Sequence, residues 1–226
     1  MSVSAKASIG VLGGTGKEGR GLALRWAHQG HSVIIGSRSA ERATEAADAL
    51  RGLLTESSIR GATNFDAAAA AEIVVLAVPF SAQQSTVNEV EPALAGKILI
   101  DVTVPLVPPD VGRVQLPDGR SAVETIQKSL EANKVVVVSA FQNVSAHHLM
   151  KLDKEVDCDV LVCSDDPAAA DTVVALAEEI GLRAWNAGPL ANSVVAEGLT
   201  SVLITLNRRY KVPASGIRIT GVSRGA

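Results

Sequence analysis

Short apolar runs alternate with amphipathic or alanine-rich stretches along most of the 226 residues. The runs fall at 8–12 (SIGVL), 31–36, 72–78 (EIVVLAV), 97–102 (KILIDV) and 134–140 (KVVVVSA). They are nearly continuous rather than alternating, as in strands covered by helices on both faces of a parallel sheet. Between them the pattern predicts helices over 17–28, 40–50, 65–71, 81–94 and 121–131, and a short strand over 58–63. Asn64 has the chemistry of an N-cap, Ser121 and Glu124 have capping-box spacing, and Pro79 stops a strand. A further strand–helix–strand unit covers 159–163, 167–180 and 182–187, and a long helix covers 190–210. This alternation predicts an α/β fold, a Rossmann-type doubly wound and mostly parallel sheet with a small α/β C-terminal extension. The expected division is a dinucleotide-binding domain over 1–140 and a smaller region over 141–226. One stretch breaks the rhythm: 103–119 (TVPLVPPDVGRVQLPDG) carries four of the nine prolines and reads as a long loop. Such loops are often functional.

The first strand runs into Gly14-Thr15-Gly16-Lys17-Glu18-Gly19, which fits G-x-G-x-x-G between a strand and a helix. Gly14 is expected to take the tight-turn angles, Gly16 to let a pyrophosphate approach, and Gly19 to let the helix pack closely. The helix would aim its free N–H groups and positive dipole end at the phosphates, with the Thr15 hydroxyl as a further donor. Gly30 is the expected C-cap. The second strand ends on Ser37-Arg38 where an acidic residue would hold a ribose 2′-hydroxyl. Serine and arginine there, with Arg42 one turn on, suit a 2′-phosphate, so the expected dinucleotide is NADP(H).

Composition narrows the setting. A net charge of −3 gives no reason to expect nucleic-acid binding. No apolar run reads as long enough to span a membrane, and MSVSAKASIG lacks a signal-peptide core, so a cytoplasmic protein is expected. Cys158 and Cys163 lie five positions apart, an odd offset that would put them on opposite faces of a strand, and read as core thiols. The four histidines form no metal-ligand pattern, so no metal site is expected.

Ligands in such sheets sit beyond the C-terminal strand ends. Residues 78–80, 101–106 and 139–146 are therefore candidates for the nicotinamide side. Phe80 either covers a cofactor ring or fills the core, and 104–106 forms either an apolar wall or an ordinary loop. Asp101, Ser139, His147 and His148 are the available acid–base groups, but none stands in a recognisable dyad. His147 and His148 follow Ser145, which reads as an N-cap. An apolar pocket without a committed acid or base suits direct hydride exchange between two flat rings.

The stretches VLGGTGKEGRGLALRWAHQGHSVIIGSR, AVPF, VPLVPP, KVVVVSAFQNVSAHHLMKLD, DVLVCSDD and NAGPLANSVVAEGLT together resemble the F420-dependent NADP reductases, nearly end to end. The resemblance implies an oxidoreductase passing a hydride between the nicotinamide C4 and the C5 of the deazaflavin coenzyme F420, in either direction. By position it places Thr15, Gly16, Lys17 and Glu18 around the pyrophosphate and Ser37, Arg38 and Arg42 on the 2′-phosphate. It places Phe80, Gln84, Leu106 and Ala146 along the nicotinamide half. Phe80 replaces a tryptophan associated with the family, and Gln142 stands where some members carry histidine, which puts a polar contact to the deazaflavin there in question. The deazaflavin would lie between 104–106, 142–144 and the segment near Leu190. Arg208, Arg209 and Lys211 either meet its anionic tail or form a solvated face. The apolar helix segment 190–206 either pairs two copies as a homodimer or covers its own sheet. The alternatives are another NADP-dependent reductase, acting on an imine, a flavin or ferric iron, and a non-enzymatic NADP(H)-sensing module.

Overall fold

The computed structural model describes residues 6–222. The expectation about MSVSAKASIG falls partly on residues 1–5, outside the described ones. The chain runs β1 (Ser8–Leu12), α1 (Lys17–His28), β2 (Ser32–Ser37), α2 (Ala40–Arg51), β3 (Ser58–Thr63), α3 (Asn64–Ala70), β4 (Ile73–Leu76), α4 (Phe80–Val90), β5 (Ile98–Asp101), α5 (Ala122–Leu130) and β6 (Val136–Ser139). These six strands form one parallel sheet in the order β3-β2-β1-β4-β5-β6. The order reverses between β1 and β4, which opens a crevice at their C-terminal ends. Next come α6 (Ala146–Leu149), β7 (Asp159–Val162), α7 (Pro167–Glu179), β8 (Arg183–Asn186) and α8 (Ser193–Tyr210). β7 and β8 form a second, two-stranded parallel sheet. An antiparallel bridge between Ser139 and Cys163 fastens β7 to the end of β6.

The continuous apolar runs are buried on both sides. Ile9, Val11, Val33, Ile35, Val75 and Ile100 pack in one core with α1, α2 and α7. Leu12, Ile34, Val74, Leu76 and Leu99 pack in a second core with α3, α4 and α5. The period-2 pleat sends successive residues of each strand to opposite layers, so each strand needs apolar side chains throughout.

Several local expectations change. Thr63, not Asn64, caps α3, with its Oγ1 accepting from Asp66 N at 3.1 Å. Asn64 is thereby freed to turn inward, and its Oδ1 accepts from Gly13 N at 3.4 Å. Gly30 follows the cap Gln29 in the left-handed region at φ +90°. The helix expected over 81–94 is α4 followed by a 3-10 turn, Glu91–Ala93. Leu190–Tyr210 is long and apolar enough to cross a membrane by length and composition, contrary to the expectation that no run is. It opens with a 3-10 turn, Leu190–Asn192, and carries the buried carboxylate of Glu197. Residues 213–222, for which the sequence suggested nothing, lie against β7. Asp159 N donates to Ile217 O at 2.8 Å, and Ile219 N donates to Asp159 Oδ2 at 2.8 Å. Arg183 and the indole N–H of Trp185 also donate to the buried Asp159 carboxylate, each at 2.7 Å.

Candidate functional site

The glycine turn sits at the C-terminal end of β1, beside the crevice. Gly13, rather than Gly14, takes the left-handed angle, with φ +69°. Gly14 is required for space: a Cβ there would lie 2.7 Å from Val11 O. A Cβ on Gly19 would lie 2.9 Å from the Gly14 Cα, so α1 starts in direct contact with the turn. Gly16 and Lys17 are exposed and Thr15 is half-buried. Gly16 is the N-cap of α1 and offers no side chain to its first N–H groups. Those amides remain available as donors in a positive dipole end, which fits an anionic pyrophosphate. Glu18 departs from a simple cradle. The residue is half-buried, but its Oε1 is sealed from solvent with no partner among the described residues, and burial pushes its carboxyl up to about 8. Near neutral pH it carries its proton, which removes a negative charge from beside the turn.

At the end of β2, Ser37 Oγ accepts from Ser39 N at 3.4 Å, and Ser39 Oγ caps α2 by accepting from Arg42 N at 3.3 Å. Arg38 and Arg42 project from this corner and are both exposed. Neither makes an ion pair among the described residues. Two guanidinium groups without protein partners beside a helix N-terminus suit a dianionic phosphate.

Beyond β4 and β5 lie the other candidates. Phe80 opens α4 and is half-buried; Gln84, one turn on, is exposed and its Nε2 donates to Asn88 Oδ1 at 2.8 Å. Leu106 is half-buried behind the buried Pro105. Ala146 is the first residue of α6, whose N-cap Ser145 makes no side-chain capping bond. His147 is exposed and its ring lies edge-on to His148 at 5.6 Å, so the pair reads as helix surface rather than a relay. The loop 103–119 rests on α8: Thr205 Oγ1 donates to Gly112 O at 2.9 Å.

A buried polar network underlies these segments. Asp101 is fully buried, and its carboxylate accepts from Gln83 Nε2 at 2.6 Å and Thr103 N at 2.8 Å. Its main-chain oxygen accepts from Gln142 Nε2 at 2.8 Å, and the same nitrogen donates to Ser139 Oγ at 2.8 Å. Glu197 on α8 accepts from Ala122 N at 2.8 Å and Val123 N at 3.2 Å, covering the start of α5. Burial, against those two donors, pushes its carboxyl up to about 8. The sequence carried a trace of this network. Gln83 lies on the buried stripe of α4 with Thr86, Val87 and Val90, where a polar residue needs a partner. A cavity of about 500 Å³, lined in part by Ala7, His31 and Ile73, lies at the opposite end of the strands from the glycine turn.

Known proteins resemble this chain in sequence and fold. Residues 8–105 match the family described as NADP oxidoreductase, coenzyme F420-dependent. The chain is 44% identical over 221 residues to the F420-dependent NADP reductase of Methanothermobacter marburgensis, covering 95% of this chain and 98% of the relative. It is 42% identical over 222 residues to the protein of that name from Methanocaldococcus jannaschii, covering 95% and 98%. A crystal structure described as a putative F420-dependent NADP reductase, from an Arthrobacter species, superposes with a TM-score of 0.80 at 28% identity, covering 95% of this chain and 99% of the other. The chain belongs to the F420-dependent NADP reductase family.

Proposed function

We propose that this protein is an oxidoreductase that moves a hydride reversibly between NADP(H) and coenzyme F420. The observation that carries this reading is the similarity to F420-dependent NADP reductases over nearly the whole length of both chains, spanning both sides of the crevice. The geometry supports the NADP half independently. The uncapped start of α1 would receive the pyrophosphate and the unpaired Arg38 and Arg42 the 2′-phosphate.

When both substrates are bound, the chemistry is a two-electron hydride transfer between nicotinamide C4 and deazaflavin C5; reduction of the deazaflavin also takes up one proton. The chain's own residues would bind and orient. Gly14 to Glu18 hold the pyrophosphate, Phe80, Gln84, Leu106 and Ala146 bound the nicotinamide half, and the region after residue 140 closes the deazaflavin side. No side chain is assigned as a dedicated acid or base, and the proton comes from water. On this reading the enzyme works in the cytoplasm. The face of α8 bearing the exposed Val195, Val202 and Leu206 packs against a second copy, which sedimentation of the purified protein would detect as a dimer.

The test is direct. Purified protein is mixed with NADPH and oxidised F420, and the deazaflavin absorbance is followed from mildly acidic to alkaline pH. Bleaching that requires all three components is expected. Its absence throughout, with turnover of a flavin or cyclic imine instead, would assign the fold to a different reductase.

A further inference from the structure

Three segments that line the crevice converge on one residue, Asp101, two of them on its carboxyl group and one on its main-chain oxygen. α4 carries Phe80 and Gln84, and between them on its buried stripe Gln83 donates to Asp101 Oδ2 at 2.6 Å. The wall over 103–106 begins at Thr103, whose N–H donates to Asp101 Oδ1 at 2.8 Å. The wall over 142–144 begins at Gln142, whose Nε2 donates to the Asp101 main-chain oxygen at 2.8 Å. Resting on the proposed hydride transfer, we infer that Asp101, acting through Gln83, Thr103 and Gln142, is a positioning residue that sets the separation of the two rings.

Three observations support this. Asp101 is fully buried, so it acts through its partners rather than by touching a substrate. The carboxyl group accepts from two elements at once, whereas an apolar side chain at the strand end would leave both donors unpaired in the interior. The backbone on the far wall is also held in an unfavourable conformation. Phe141, a bulky residue, has φ +72° and is locked by burial and by edge-on contact with Trp26 at 5.8 Å between ring centres. That turn brings Gln142 back onto Asp101 and Ser139, while Thr200 Oγ1 on α8 donates to Gln142 O at 2.8 Å. The network is satisfied at Asp101 and unfinished at its outer members. Thr103 Oγ1 and Gln142 Oε1 are buried without partners among the described residues. A fully structural network would be closed at those atoms as well.

The experiment uses the full chain with Gln83→Leu, which cuts the tie to α4, and Asp101→Asn. In the latter the Gln83 amide can turn over to accept from the new NH₂ group, while the remaining oxygen still accepts from Thr103. Single-turnover hydride transfer from NADPH deuterated at C4 is followed by deazaflavin absorbance. NADPH affinity is measured by calorimetry, and quenching of F420 fluorescence is measured in the complex with NADP⁺. Gln83→Leu is expected to slow hydride transfer by about 10- to 100-fold, the scale of a displacement near 1 Å. NADPH affinity should stay within about threefold, fluorescence quenching should weaken, and the isotope effect should become more temperature-dependent. Asp101→Asn should restore rate and quenching to near wild type. An unchanged rate and quenching in Gln83→Leu overturns the inference. So does a parallel loss of NADPH affinity and rate with an unaltered isotope effect, which marks a merely structural tie. Failure of the wild type to reduce F420 refutes the functional reading itself and is seen before any variant is compared.

Discussion

Replacing Arg38 with alanine separates the two dinucleotides. The side chain is exposed and makes no ion pair among the described residues, so its removal should change folding stability by less than about 0.5 kcal/mol. Its value lies in binding. A charge-assisted hydrogen bond to a phosphate contributes about 1.5–3 kcal/mol, and exposure to salt moves this corner toward the lower half of that range. NADPH affinity should therefore fall by about 10- to 50-fold. NADH has no 2′-phosphate and should bind almost unchanged. If Arg42 also serves the 2′-phosphate as proposed, NADPH should keep a residual advantage in the variant that shrinks further as salt is raised. Calorimetric titration of both dinucleotides at low and high salt measures this, with a thermal melt as the folding control. Equal weakening of NADPH and NADH, or a lowered melting temperature, would refute the reasoning, because Arg38 would then be supporting the turn rather than the phosphate.

Glu18 has a carboxyl raised to about 8, so its contribution to stability is present at low pH and is lost as pH rises through that value. Ionisation roughly one helix turn from a phosphate costs about 1 kcal/mol, so NADPH affinity should drop several-fold between neutral pH and pH ~9. Glu18→Gln should flatten both profiles, and calorimetry across pH checks it. Gly13→Ala must hold φ +69° and place a Cβ 2.6 Å from Val78 Cγ1, so a loss of about 3 kcal/mol and of NADPH binding is expected in melts and titrations. For Asp159, burial opposes ionisation, but the Arg183 fork and the N–H groups of Ile219 and Trp185 outweigh it and hold the carboxyl at about 2. That stability is present above the unfolded value and is lost as pH falls toward 2. Asp159→Ala should cost about 3 kcal/mol at neutral pH and speed hydrogen exchange at the amides of Ile219 and of residue 159.

The chain's linear pattern determined much of this molecule. Continuous apolar runs separated by helical segments leave few alternatives to a doubly wound parallel sheet, because each run must be covered on both faces. The glycine turn between β1 and α1 and the strand end at Ser37 were equally legible, since a strand–turn–helix junction depends on local backbone and on side chains within one turn. Even at that turn, neighbours decided the details. The left-handed residue is Gly13, while Gly14 is required by the space between Val11 and Ile35. Thr63 takes the cap expected of Asn64, which leaves Asn64 to support the turn from α3. What tertiary structure alone decided is the far side of the crevice. Asp101 meets Gln83 and Gln142 across separations of 18 and 41 residues, and Glu197 reaches α5 across 75. No local period encodes such pairings. They follow from burying polar atoms at the ends of β5 and β6, where each must find its partner on whichever element the fold brings alongside.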